Sequence, residues 1–253
     1  MRSLRNASIL ITGGGSGLGR GAALHFVRCG AKVTICGRRQ NKIDAVAKEL
    51  GNNCLAVQGD ITIAGDRQRI VDAAIQHGNG LFALINNAGN MYRGSIEELQ
   101  EEHLLEIFHS NVIAGMMLSG LTLPHLEKTQ GAIIFIGSTH TRRAMPGASP
   151  YAASKAAVQG LSRVLAAELG PKKIRVNCIL PGAVFTEINQ RAGLFDDETA
   201  KKRLDGLSNM HVLGRIGTEK EIAEAIEYLI RAEWTTGAVV EVDGGFGLGA
   251  LNA

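Results

Sequence analysis

Seven short runs rich in β-branched residues recur along the chain: SILIT (8–12), KVTIC (32–36), CLAV (54–57), FALIN (82–86), AIIFIG (132–137), IRVNCIL (174–180) and AVVEV (238–242). Helix-like stretches near 18–29, 40–50, 64–77, 97–128, 151–169 and 218–231 fill the gaps between them. A strand that is apolar on both faces has to be covered on both, and a crossover of helical length brings the next strand back parallel to the last. The alternation therefore predicts an α/β fold, a doubly wound parallel sheet with helices on either side. No Pro/Ser-rich linker, composition shift or internal repeat divides the sequence, so residues 1–253 read as one unit. The single long irregular stretch, at about 183–216, carries Leu194, Phe195, Leu204, Leu207 and Met210 among charges. Two readings fit it, a substrate lid and a surface helical excursion.

Composition excludes several classes of function. Hydrophobic residues make up 45 % of the chain, enough for a sizeable core. Aromatics are only 4 %, and the net charge of +3 comes from scattered pairs such as Arg38-Arg39 and Lys172-Lys173 rather than a basic block. Nucleic-acid binding needs clustered cations and stacking platforms, so it is not expected. Cys29, Cys36, Cys54 and Cys178 lie far apart without ligand spacing, as reduced core residues do, and the expected compartment is the cytoplasm. No run reaches the ~18 apolar residues of a membrane span, so no membrane partner is expected.

Between the first strand and the first helix lies Thr12-Gly13-Gly14-Gly15-Ser16-Gly17-Leu18-Gly19. Glycines at such a turn let backbone approach a pyrophosphate, while free N–H groups at the helix N-terminus face the anion. Gly19-Arg20-Gly21 lacks the Gly-Lys-Ser/Thr of a P-loop, and the spacing is Thr-Gly-x-x-x-Gly-x-Gly rather than G-x-G-x-x-G. The second strand ends Cys36-Gly37-Arg38-Arg39, where an NAD site would carry a carboxylate for the ribose 2′-hydroxyl. Two guanidinium groups there suit a 2′-phosphate, which predicts NADP(H) as the preferred cofactor with NAD(H) possible. Ser16 weakens that reading, being neutral where a second basic residue would strengthen it.

Tyr151 precedes Lys155 by four residues in SPYAASK, so a helix places the phenol and the ammonium on one face. A free phenol has a pKa of about 10, and an adjacent cation is expected to lower it toward the range of a useful proton carrier. Upstream, AIIFIG runs into Ser138 at the carboxyl edge of the sheet, where its hydroxyl can stabilise a developing oxyanion. Taken singly, each of the three has an ordinary structural explanation.

Together they resemble the short-chain dehydrogenase/reductase family in its form of about 250 residues, over almost the whole chain. Thr12-Gly13-x-x-x-Gly17-x-Gly19, Asn86-Asn87-Ala88-Gly89, Ser138 with Tyr151-x-x-x-Lys155, Arg175-Val176-Asn177 with Pro181-Gly182-x-x-x-Thr186, and Asp243-Gly244-Gly245 carry the resemblance. It implies a strand order of 3-2-1-4-5-6-7, a catalytic set of Asn111, Ser138, Tyr151 and Lys155, and a homo-oligomer, tetramer or dimer. It also implies cofactor contacts from Gly13, Ser16, Gly17, Leu18 and Gly19, from Arg38 and Arg39, and from Asp60 and Ile61. Asn87, Ala88 and Gly89, the pair Tyr151 and Lys155, and Pro181, Gly182, Val184 and Thr186 complete that surface. Asn111 taken alone would read as a polar cap or kink residue.

The stretch Thr139-His140-Thr141-Arg142-Arg143 is unusual for the family. Either His140 or Arg142 faces the pocket and selects a polar or anionic substrate, or the segment is a solvated loop or subunit contact. With Ser138, His140 and Tyr151 as the expected substrate contacts, the leading reading is hydride transfer between NADP(H) and a ketone or 3-oxoacyl compound. An NAD-dependent alcohol, hydroxysteroid or polyol dehydrogenase is the alternative, and a non-catalytic nucleotide-binding scaffold a third.

Overall fold

The computed structural model describes residues 1–186, 199 and 206–249. Strands β1 (Ser8–Thr12), β2 (Lys32–Gly37), β3 (Cys54–Gln58), β4 (Ala83–Asn86), β5 (Ala132–Ile136), β6 (Arg175–Pro181) and β7 (Val239–Val242) form a single parallel sheet. Their order is 3-2-1-4-5-6-7, as the family resemblance implies. The order reverses between β1 and β4, and a crevice opens at the carboxyl ends of the strands there.

Successive strand residues point to opposite faces, and two apolar layers follow from that period. Ile9, Ile11, Val33, Ile35 and Ile134 meet α1 (Gly17–Arg28), α2 (Gln40–Leu50) and α7 (Glu219–Arg231) through Phe26, Ile43, Ile226 and Leu229. On the other face Leu10, Leu84, Ile133, Phe135 and Val176 meet α3 (Ala64–Gly78), α5 (Ala114–Thr129) and α6 (Ser149–Leu169) through Ile70, Leu118 and Val158.

The stretch read as one helix over 97–128 is divided. After α4 (Glu101–Phe108) comes a π turn at His109–Ile113, and only then α5. Taken as a continuous body, Glu101–Thr129 has the length and composition of a membrane span. It lies along the sheet instead, with Ala114, Leu118 and Leu126 fully buried.

Two motif residues are structural. The Arg175 guanidinium donates to the carbonyls of Leu229, Ile230 and Ala232, closing the carboxyl end of α7. The Asn177 side chain bonds Thr235 O and Ala238 N, fixing the approach to β7. Of the stretch read as a lid, residues 187–198 and 200–205, including Leu194, Phe195 and Leu204, lie outside the described residues.

Candidate active site

The glycine turn is built for close approach. Gly17 has φ +53°, in the left-handed region that costs a side chain strain, and a Cβ there would stand 3.0 Å from Thr186 Cγ2. At Gly19 a Cβ would stand 2.3 Å from the Gly13 carbonyl oxygen, so this residue serves helix packing and lies behind the cleft lining. The loop is pinned from β4: Asn87 Nδ2 donates to Thr12 O at 2.7 Å, and Asn87 N and Ala88 N both donate to Thr12 Oγ1. No side chain caps the N-terminus of α1, and its first turn holds no acid. Its leading N–H groups therefore face the cleft with the positive end of the helix dipole, as a pyrophosphate requires.

From that turn one continuous cleft runs along the sheet edge. At one end it is lined by Ser16, Arg38, Asp60 and Ile61. Gly13, Gly17, Leu18, Asn87, Ala88 and Gly89 line its middle. Ser138, His140, Tyr151, Lys155 and the run Pro181, Gly182, Val184 and Thr186 line the far end. Arg39 does not line it, but its Nη2 donates to Ser16 Oγ at 3.1 Å. The neutral serine thus has a guanidinium beside it, which the sequence pattern alone did not reveal. Arg38, largely exposed, stands 3.9 Å from Asp60, whose other oxygen already accepts from Thr62 N and Oγ1. An open groove with a helix N-terminus in its wall fits a dinucleotide.

At the other end four predicted residues converge. Ser138, two residues past β5, lies with Tyr151 in the cleft lining and acts on its phenol. Lys155 Nζ donates to Ile136 O at 2.8 Å and lies 5.7 Å from the Tyr151 ring centroid. Asn111 sits in the π turn, where the extra residue re-aims side chains. Its Nδ2 donates to Asn90 O and Ser154 Oγ, and its Oδ1 accepts from Asn90 N at 2.7 Å. A Cβ on Gly89 would stand 3.0 Å from Asn111 Oδ1 and 3.5 Å from Lys155 Nζ, so only a residue without a side chain keeps those two groups in one space.

The electrostatics correct one expectation. Burial pushes the Tyr151 phenol above its ordinary value, and Ser138 and the charge of Arg93 oppose this. The Lys155 ammonium stands over the ring and donates to a backbone carbonyl, while the guanidinium of Arg93 acts on the phenol from the loop after β4. Lys155 itself is depressed to about 8, desolvation dominating.

The segment after Ser138 also separates. His140 faces the cleft, its ring edge-on to Tyr151 at 5.3 Å between centroids. Arg142 turns away, with Nε 2.6 Å from Glu241 Oε1, and is not in the cleft lining. Three participants were not anticipated. Arg93 follows a motif without belonging to it, and Ser154 reaches Asn111 from inside the YxxxK spacing. His211 donates Nδ1–H to Leu207 O and accepts from Ala183 N, steadying the backbone after Pro181.

This arrangement agrees with relatives found by sequence and structure. A family profile described as short chain dehydrogenase matches residues 7–196. An uncharacterized oxidoreductase of Methylorubrum extorquens is 35 % identical over 251 residues, covering 97 % of this chain and 99 % of that protein. Dehydrogenase/reductase SDR family member 4 of Sus scrofa is 32 % identical over 251 residues, covering 96 % of this chain and 88 % of the relative. The crystal structure of a 3-ketoacyl-(acyl-carrier-protein) reductase from Brucella melitensis complexed with NADH aligns with a TM-score of 0.86 at 31 % identity, covering 97 % of this chain and 100 % of that one. The chain belongs to the short-chain dehydrogenase/reductase family. It is an NAD(P)-dependent oxidoreductase that moves hydride between a nicotinamide cofactor and a carbonyl/alcohol pair.

Proposed function

We propose that the protein is an NADP(H)-dependent reductase of ketone or 3-oxoacyl substrates, built on a single dinucleotide-binding and catalytic domain. The observation that carries the cofactor preference is the pair of guanidinium groups at one end of the cleft, Arg38 in its lining and Arg39 hydrogen-bonded to Ser16. A 2′-phosphate carries charge that such a pair recognises, often bidentately. Gly13, Gly17, Leu18 and the α1 N-terminus would hold the pyrophosphate, with Gly19 and Asn87 keeping the turn in shape. Asp60, Ile61, Ala88 and Gly89 would border the adenosine side, and Pro181, Gly182, Val184 and Thr186 the nicotinamide. When bound, the dinucleotide supplies or accepts the hydride.

The chain's own residues manage the proton and the charge. In reduction, Tyr151 gives its phenolic proton to the substrate carbonyl oxygen; in oxidation, the phenolate takes a proton from the alcohol. Ser138 donates a hydrogen bond to that oxygen as its charge grows. Lys155 would hold the cofactor ribose, and its charge stabilises the phenolate once Tyr151 has given up its proton. Asn111 holds the π turn against Asn90 and Ser154, beside Lys155.

The cofactor reading is tested with NADPH and NADH against a panel of acyl thioesters, diketones, steroids and ketoses. We expect NADPH to be favoured in kcat/KM by at least tenfold, and the combined Arg38→Ala and Arg39→Ala substitutions to remove that preference while leaving NADH turnover nearly intact. Equal or better kcat/KM with NADH in the unaltered protein would refute it. We also read Ile113, Met116 and Met117, exposed on the α5 side, as part of a homo-oligomer contact. A monomeric mass in solution would contradict that assembly.

A further inference from the structure

His140 stands between two groups of the site. Arg93 Nη2 lies 3.1 Å from His140 Nε2, and Ser138 Oγ lies 3.1 Å from His140 Nδ1. A guanidinium only donates, so Nε2 has to accept. The neutral imidazole then carries its proton on Nδ1, and Nδ1–H points at the serine oxygen. Ser138 Oγ also accepts from His140 N at 3.2 Å. Both lone pairs of the serine oxygen are thereby occupied, and its own proton can only be given outward.

We propose that Arg93 and His140 are positioning residues that fix Ser138 as a one-way hydrogen-bond donor, its single proton directed toward the Tyr151 oxygen or, once substrate is bound, toward the substrate oxygen. Without them the hydroxyl is free to rotate and accept from Tyr151, which would favour the protonated phenol and lose the oxyanion contact. Burial, together with the positive charge of Arg93, depresses His140 to about 4, so the ring stays neutral across the working range. Among the described residues, the charged or titratable groups around Tyr151 are Lys155 from its own helix, Arg93 from the loop after β4 and His140 from the turn after β5; Cys178 on β6 lies against Lys155. The assignment to catalysis rests on the carbonyl/alcohol reading of this site, whereas the tautomer does not.

Two measurements test the proposal. Protein labelled with 15N-histidine should show one ring, identified by its loss in His140→Asn, protonated at Nδ1 and bare at Nε2 from pH 6 to 9. In Arg93→Ala the Nε2-protonated form should appear. An Nε2-protonated or doubly protonated ring in the unaltered protein would overturn the proposal. In alcohol oxidation, which needs phenolate, the rise of kcat with pH should move alkaline by about one pH unit or more in His140→Ala, as expected for losing a hydrogen bond to a charged group. Cofactor KM should change little, and His140→Asn, which keeps a donor near the Nδ1 position, should restore most of the shift. An unmoved pH limb in His140→Ala would equally refute it. If the unaltered protein oxidises and reduces nothing, the proposed function fails, and the tautomer spectrum decides the positioning claim by itself.

Discussion

Replacing Lys155 by Met should stabilise the protein while abolishing its turnover. Lys155 is 4 % exposed, and among the described residues its ammonium has one hydrogen bond, the 2.8 Å contact with Ile136 O. Burial depresses it from 10.5 to about 8. At about 1.36 kcal/mol per pKa unit, holding that charge in the ligand-free fold at pH 7 costs roughly 3 kcal/mol. Methionine removes this cost and fills much of the space, but leaves the Ile136 carbonyl without its donor, a loss of about 1–3 kcal/mol. The net expectation is a gain of about 0–2 kcal/mol at pH 7. Because the folded-state value lies below the unfolded one, the penalty is complete below about pH 8 and disappears as pH rises toward 10.5. Urea denaturation of both proteins at equal concentration, without dinucleotide, should show a higher midpoint for Lys155→Met at pH 7 and no advantage at pH 10. A variant less stable at pH 7, or an advantage indifferent to pH, would refute the reasoning that this charge is buried at a cost to the fold and kept for function.

Other residues give separate tests. Gly19→Ala forces a Cβ to within 2.3 Å of the Gly13 carbonyl, so we expect a loss of about 1–3 kcal/mol in urea denaturation together with weaker NADPH binding in a fluorescence titration. Unchanged stability would show that the turn tolerates displacement. Arg142→Ala removes an exposed ion pair with Glu241, for which about 0–1 kcal/mol is expected, and should leave KM unchanged for every accepted substrate. A raised KM for an anionic substrate would place Arg142 back at the pocket.

The architecture was legible because each layer writes a period into the chain. The β-branched runs reappear as strands displaced by no more than a residue at most ends, and the two apolar layers follow their alternation. The catalytic end of the cleft was legible through spacing: Tyr151 and Lys155 lie one helical turn apart, and Ser138 follows a strand. What spacing could not show were contacts made across long stretches of chain. Arg93 and His140 are 47 positions apart and meet only because β4 and β5 are neighbours. Arg39 reaches Ser16 across 23 positions, supplying a charge that looked missing from the loop. The π turn at Asn111 was hidden because an extra residue leaves a helical pattern nearly unchanged, and the burial that raises the Tyr151 phenol is a property of the packed site.

The most direct measurement of the central claim is turnover by Tyr151→Phe, with cofactor binding followed in the same sample. Phenylalanine keeps the buried ring and removes only the proton carrier. We predict that kcat falls by ~10²–10⁴-fold or more while the Kd for NADPH stays within about twofold, as loss of a positioned general acid requires. Turnover close to that of the unaltered protein would contradict the account.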